Sequence, residues 1–260
     1  MSGFQDKVVL ITGATGGIGA VTARRLAGLG AHLVLVDRDP APLAALADSL
    51  GAATVTASGD IADAATTRDA VDRAMARFGR IDGAFLNAGM EGRVAPVEAQ
   101  DLADFDRIMQ VNVRSVFIGL ACVMPVMKAQ GAGSVVITSS AAGLRASSGL
   151  APYVASKHAL VGLMRAAALE GAAQNVRVNT IHPGAIDTRM IRDLERKMSP
   201  DDLDRGRASI TAGIPAGRYG QPEEVAALVI FLLGDEAAFC NGGTYQVDGA
   251  SLAGPRARKF

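Results

Sequence analysis

The chain has no tryptophan, and aromatic residues make up only 4% of it. A core with so few rings must be packed from small aliphatic side chains, and alanine and glycine are abundant enough to let helices lie close on a sheet. Cys122 and Cys240 are the only cysteines. They lack metal-ligand spacing, so they are expected to be buried free thiols in a reducing compartment, with no metal site. Charge of one sign is missing too: 26 Lys and Arg balance 26 Asp and Glu, for a formal net charge of zero. That balance points away from nucleic acid and from anionic membranes as partners. No run of ~18 apolar residues occurs, and Met1 to Lys7 carry no signal-peptide core. A cytoplasmic protein is expected. No linker, repeat or low-complexity tract divides the chain, so a single domain over 1–260 is expected.

What is present is an alternation of short apolar runs and helical patterns. Val8 to Ile11 is fully apolar, as a central parallel strand buried on both faces would be. Further strands are expected at 32–36, 54–57, 84–86, 134–138, 176–181 and 243–247, with helices between them. The predicted fold is α/β, a doubly wound Rossmann-type domain whose parallel sheet of about seven strands carries helices on both faces. One long helix is expected from about Asp101 past Asn112 toward Gln130. Asn112 sits there in an apolar stretch. Its buried amide must either open the helix locally around a water or hydrogen-bond within the core. The segment 185–218 holds Met190, Ile191, Leu194 and Met198 among charges, as a short amphipathic helix covering a pocket would. The basic tail 254–260 reads as loose.

In such folds ligands bind beyond the carboxyl ends of the strands. Five strand ends converge there. The first leads into Gly13-x-x-x-Gly17-x-Gly19, a glycine-rich turn opening a helix and suited to phosphate. The second ends in Asp37, an acid that can accept from a ribose hydroxyl pair and would repel a 2′-phosphate, so NAD is favoured over NADP although Arg38 follows. Asp37 could also be a capping acid. Asp60 and Ile61 could border an adenine, and Asp60 could equally cap the next helix. Asn87, Ser140 and Pro183 close the remaining strands.

The chemistry rests on Tyr153-Val-Ala-Ser-Lys157. Tyr and Lys four residues apart share one helix face. Bringing a phenol from its usual pKa of ~10 to near 7 requires about 4 kcal/mol in favour of the phenolate. One cation ~4 Å away at an effective dielectric of ~20 supplies about that much. Lys157 is therefore placed to make Tyr153 a proton donor and acceptor.

Taken together, Thr12-Gly-Ala-Thr-Gly-Gly-Ile-Gly19, Asn87-Ala-Gly89, Asn112, Ser140, Tyr153 to Lys157, Pro183-Gly184 and Val247-Asp-Gly249 resemble the short-chain dehydrogenase/reductase family over essentially the whole chain. The resemblance implies a catalytic set of Asn112, Ser140, Tyr153 and Lys157. Tyr153 would be the acid/base, Ser140 the hydroxyl holding the substrate oxygen, Lys157 the modulator of Tyr153 and Asn112 the holder of a relay water. Cofactor contacts would be Gly13, Gly17, Ile18, Gly19, Asp37, Asp60, Ile61, Asn87, Tyr153, Lys157, Pro183, Gly184, Ile186 and Thr188. Leu86 and Ala250 depart from the family pattern, which often has Asn and Gly there.

The implied activity is hydride transfer between NAD and a secondary alcohol or ketone, neutral in view of the largely apolar candidate walls at 90–94, 144–150 and 186–198, and cyclic in that Met90-Glu-Gly-Arg93 and Arg218-Tyr-Gly220 resemble segments of family members acting on cyclic ketones and alcohols. Alcohol oxidation is the expected direction and a homotetramer the expected assembly. A sugar or polyol dehydrogenase is the rival within the family, and a non-catalytic NAD-binding redox sensor the rival of another class. A sugar-nucleotide epimerase or dehydratase is disfavoured, because little chain remains for a separate substrate domain.

Overall fold

The computed structural model of the protein describes residues 3–51, 53–199 and 201–254. The tail 255–260 therefore lies outside the described residues.

Seven strands form one parallel sheet in the order β3-β2-β1-β4-β5-β6-β7. They are β1 (Val8–Thr12), β2 (His32–Asp37), β3 (Thr54–Ser58), β4 (Gly83–Leu86), β5 (Gly133–Thr138), β6 (Val176–Pro183) and β7 (Thr244–Val247). The chain runs outward from β1 to β3, then returns to place β4 beside β1. The β1/β4 boundary is thus the switch point at which such sheets open a crevice.

Strand periodicity sends alternate side chains to opposite faces. Val8 and Leu10 join one core cluster, against Ala70 and Val71 of α3 (Ala64–Phe78), Val123 of α5 (Ser115–Gln130) and Leu160 of α6 (Ala151–Gly171). Val9 and Ile11 join the other, against Ala23 and Leu26 of α1 (Gly17–Gly28), Leu43 of α2 (Pro40–Leu50) and Val229 of α9 (Pro222–Leu233). The apolar strands therefore carry two cores.

One helical region follows the expected span but opens locally, and a second differs from expectation. The long helix is α4 (Leu102–Met109), a π turn over Gln110–Arg114, and α5. Over 29 residues it is long and apolar enough to cross a membrane, but half of its most apolar window is buried and α5 fills the core with Val116, Leu120, Val123 and Met127. The covering segment holds two helices rather than one, α7 (Arg189–Met198) and α8 (Leu203–Ala212). Asp202 restarts the helix by accepting from the Arg205 amide, as an N-cap does. The side chain of Met198 lies outside the described set.

Candidate active site

A cleft of about 900 Å³ lies at the carboxyl edge of the sheet, within the range of ligand sites. At its floor, β1 passes through the glycine turn into α1. Gly13 has φ +64°, and a Cβ there would lie 2.9 Å from the Ala88 Cα. A Cβ on Gly17 would meet Thr188 Cγ2 at 2.8 Å, and one on Gly19 would sit 2.2 Å from the Gly13 carbonyl. Gly16 caps α1 without a side-chain hydrogen bond. The first amides of the helix are therefore open toward the cleft, the arrangement that binds phosphate. Ile18 lines the same floor.

At the β2 end, Asp37 Oδ2 accepts from the Thr15 amide at 2.8 Å and the Thr15 hydroxyl at 2.6 Å, while Oδ1 accepts from the Arg38 amide at 2.7 Å. It is not a helix cap. Asp60 and Ile61 also line the cleft. The cap of α3 is Asp63, which accepts from the Ala65 amide. Asp60 instead accepts from the Ala62 amide and pairs with Arg107 of α4 at 2.9 Å. These bonds hold its pKa below the ordinary carboxylate value, the Ala62 amide being the largest single cause. Arg107 gave no local signal in sequence, because its partner is 47 residues away.

The ends of β1, β4 and β5 are laced together. Asn87 donates to the Gly13 carbonyl at 3.2 Å and accepts from the Thr138 hydroxyl at 3.0 Å, and its amide donates to Thr12 Oγ1. Lys157 Nζ donates to the Thr138 carbonyl at 2.9 Å. Ser139 is buried and donates to the Lys157 carbonyl. That leaves Ser140, whose hydroxyl accepts from the Ala142 amide at 3.1 Å, to line the cleft together with Tyr153.

Tyr153 and Lys157 do share a helix face, with Nζ 5.6 Å from the phenol ring centroid. Burial dominates both. It pushes the Tyr153 phenol up, the Ser140 hydrogen bond pulling it down and the Glu91 charge adding to the rise. It lowers Lys157 from 10.5 to about 8. The depression of Tyr153 expected from the Tyr-x-x-x-Lys spacing is therefore not present in the free chain, where burial raises the phenol.

Asn112 does not line the cleft but stands behind it, fully buried. Its Oδ1 accepts from the Met90 amide and its Nδ2 donates to the Met90 carbonyl, both at 2.8 Å, and to Ser156 Oγ at 3.0 Å. Both sequence alternatives hold in part: the helix opens into a π turn, and the amide bonds within the core. Pro183, Gly184, Ile186 and Thr188 line the cleft beyond β6. His182 is buried and bonds the Ser140 carbonyl through Nδ1 at 2.8 Å. A carbonyl only accepts, so Nδ1 carries the proton and Nε2 accepts from Thr180. Burial also pushes the His182 pKa down, favouring this neutral ring.

The far wall comprises Met90 and Glu91, Arg145 and Leu150, and Ile191 and Leu194 of α7. Arg93 does not line it. Ile210, Ile214 and Ser251 do, and sequence reading missed them. The arrangement combines a phosphate cradle, a ribose-type acid and two hydroxyls beside a buried lysine. It can hold a dinucleotide and exchange a proton with an oxygen next to Tyr153.

A family model described as enoyl-(acyl carrier protein) reductase matches residues 13–250. Levodione reductase of Leifsonia aquatica is 40% identical, covering 96% of each chain. A crystal structure of levodione reductase superposes with a TM-score of 0.94 at 40% identity over 96% of this chain and 100% of that one. Cyclohexanol dehydrogenase of Acinetobacter sp. (strain SE19) is 39% identical over 95% of each chain. NAD+-bound xylitol dehydrogenase superposes with a TM-score of 0.89 at 33% identity, over 95% of this chain and 99% of that one. The chain belongs to the short-chain dehydrogenase/reductase family and is an NAD(P)-dependent alcohol dehydrogenase/ketone reductase acting on CH–OH donors.

Proposed function

We propose that this enzyme uses NAD to interconvert a neutral, cyclic secondary alcohol and its ketone, with Tyr153 as the acid/base and oxidation as the cellular direction. The observation that carries the reading is that Tyr153 and Ser140 line the cleft together, with Tyr153 one helical turn from buried Lys157. Relatives named for levodione and cyclohexanol support a ring substrate, as do the aliphatic side chains of Leu150, Ile191, Leu194 and Ile214 on the wall.

The glycine turn and α1 would hold the pyrophosphate, Asp37 the adenosine ribose, Asp60 and Ile61 the adenine. Asn87, Pro183, Gly184, Ile186 and Thr188 would border the nicotinamide half. Bound NAD supplies a ring that accepts a hydride from the carbinol carbon. Tyr153 takes the hydroxyl proton and Ser140 donates to the oxygen as charge builds on it. Lys157, where protonated, favours the phenolate beside it. Asn112 fixes the loop at Met90 on the wall and stands where a relay water would be held. In the free chain the phenol keeps its proton, so oxidation should quicken toward alkaline pH and carbonyl reduction toward neutral pH.

The reading also takes 1–260 as one domain with 185–218 covering the substrate, in a cytoplasmic homotetramer. Exposed Phe117 on α5 and Leu169 on α6 support assembly.

The test is initial-rate NADH formation at pH ~9 over cyclic alcohols, aryl-alkyl carbinols and polyols, with NAD and NADP side by side. Turnover of ring carbinols is expected. Turnover of polyols alone would discard the ring assignment in favour of a sugar or polyol dehydrogenase, a reading that the polar side chains of Glu91 and Arg145 on the wall would support. Tyr153→Phe should cost about 10²–10⁴ in kcat while NADH still binds. Unchanged turnover would remove Tyr153 from the mechanism.

A further inference from the structure

The cover over the substrate end is bonded mainly to itself. The Tyr219 hydroxyl donates to Glu195 Oε1 at 2.7 Å, with both residues buried. Arg192 pairs with Asp187. Gly206 of α8 packs on the Glu195 carbonyl so closely that a Cβ would lie 3.0 Å from it. The roots of the cover lie side by side: Ile186 bridges to Gly220, the Asp187 amide donates to the Gly220 carbonyl, and the Gly220 amide donates to the Ala185 carbonyl. The unit α7–α8 thus hangs from one side of the cleft.

Among the described residues, one side chain of α7–α8 hydrogen-bonds the opposite lip. Lys197 Nζ donates to Glu91 Oε1 and to the Gly92 carbonyl, both at 2.9 Å. These partners are over 100 residues away in sequence and lie on the loop after β4. Glu91 is no loose surface acid. Its side chain is 17% exposed and lines the cleft. It follows Gly89 by two residues, and a Cβ on Gly89 would lie 3.3 Å from both Lys157 Nζ and Asn112 Oδ1. The two lips therefore meet beside the catalytic groups, through a charged hydrogen bond in a partly dry setting.

We propose that Lys197 is a positioning residue, a latch that closes α7 over bound alcohol by pairing with Glu91 and so sets the affinity for substrate. Closure also compensates the Glu91 charge that Tyr153 feels. The inference rests on the proposed use of this cleft for the alcohol.

The experiment compares wild type with Lys197→Met and Lys197→Arg. A charged hydrogen bond of this kind supports about a tenfold rise in alcohol KM for Lys197→Met, with kcat within about twofold and a smaller change in NAD KM. Lys197→Arg should restore KM. Hydrogen exchange of the α7 backbone amides, read without any substrate, should be faster in Lys197→Met than in wild type and Lys197→Arg. Unchanged exchange, or an unchanged KM, would overturn the latch. If wild type oxidises no alcohol on the panel, the proposed function fails, and the exchange contrast still decides the latch.

Discussion

Replacing Lys157 with Met should abolish turnover and yet stabilise the protein at neutral pH. Lys157 is 3% exposed, its bonded partner among the described residues is the Thr138 carbonyl at 2.9 Å, and burial alone is what lowers its pKa from 10.5 to about 8. The folded chain therefore holds that proton less tightly than the unfolded chain does. At ~1.4 kcal/mol for each pH unit, the difference amounts to about 3 kcal/mol. Between about 8 and 10.5 the unfolded state binds more protons than the folded state, so wild-type stability should rise with pH across that window. Below pH 8 both states are protonated and the whole penalty stands.

Methionine matches the length of lysine without its charge, and losing the bond to Thr138 costs about 1 kcal/mol. The net expectation for Lys157→Met is a gain of about 2 kcal/mol at pH 7, shrinking to nothing at pH ~10 and turning into a loss of up to about 1 kcal/mol at higher pH. Denaturant unfolding of both proteins at pH 7 and 9.5, at one protein concentration, reads it directly. A variant less stable than wild type at pH 7, or a wild type whose stability is flat above pH 8, would refute the reasoning.

Asp37→Asn removes the charge that would face a 2′-phosphate; a unit charge ~4 Å away at a dielectric of ~20 is worth about 4 kcal/mol, so the NAD-to-NADP ratio of kcat/KM should narrow by up to about three orders of magnitude. A wild type that already uses NADP equally well would remove the basis for this. Asn112→Ala strands the Met90 amide and carbonyl and the Ser156 hydroxyl in the core; unfolding measurements should show a loss of about 2–3 kcal/mol, and turnover should fall with it. Ala250 stands at φ +70°, in the left-handed region. Ala250→Gly should therefore raise unfolding stability by about 0.5–1 kcal/mol, and no gain in the same assay would show that the turn carries no strain.

The fold was legible because parallel strands buried on both faces leave uninterrupted apolar runs, and the edge that binds ligands follows from strand direction alone. Gly13, Asp37, Asn87, Ser140 and Tyr153 could be named because each sits at a strand end or on one helical turn, where spacing in sequence is spacing in space. The two covering helices were read as one because Met190 to Met198 carries the apolar pattern and α8 does not. Its sign was Asp202, an N-cap after Ser199 and Pro200 that could have been heeded. Arg107 on Asp60, Lys197 on Glu91 and Arg145 on the Ser251 carbonyl could not have been found, because each joins segments 47 or more residues apart and no periodicity encodes such a meeting. The acidity of Tyr153 was misjudged for a related reason. Spacing reports the neighbouring cation but not the desolvation, which the whole fold sets.

The two kinds of contact divide the labour of the enzyme. The groups proposed for chemistry are pinned by short bonds among buried strand ends: Lys157 to Thr138, Ser139 to Lys157, Asn112 to Met90, His182 to Ser140. Each such bond is costly to leave unmade, so their positions can shift only if the core opens. The substrate wall is closed instead by charges that remain partly hydrated, Lys197 on Glu91 foremost. Such pairs are worth little enough to break in each turnover. A cover held more tightly would retain the ketone it helped to form, and a looser one would admit water beside Tyr153. An exposed lysine on a partly buried acid sits between those limits, and this is the reason to look for substrate selectivity at the latch rather than at the tyrosine.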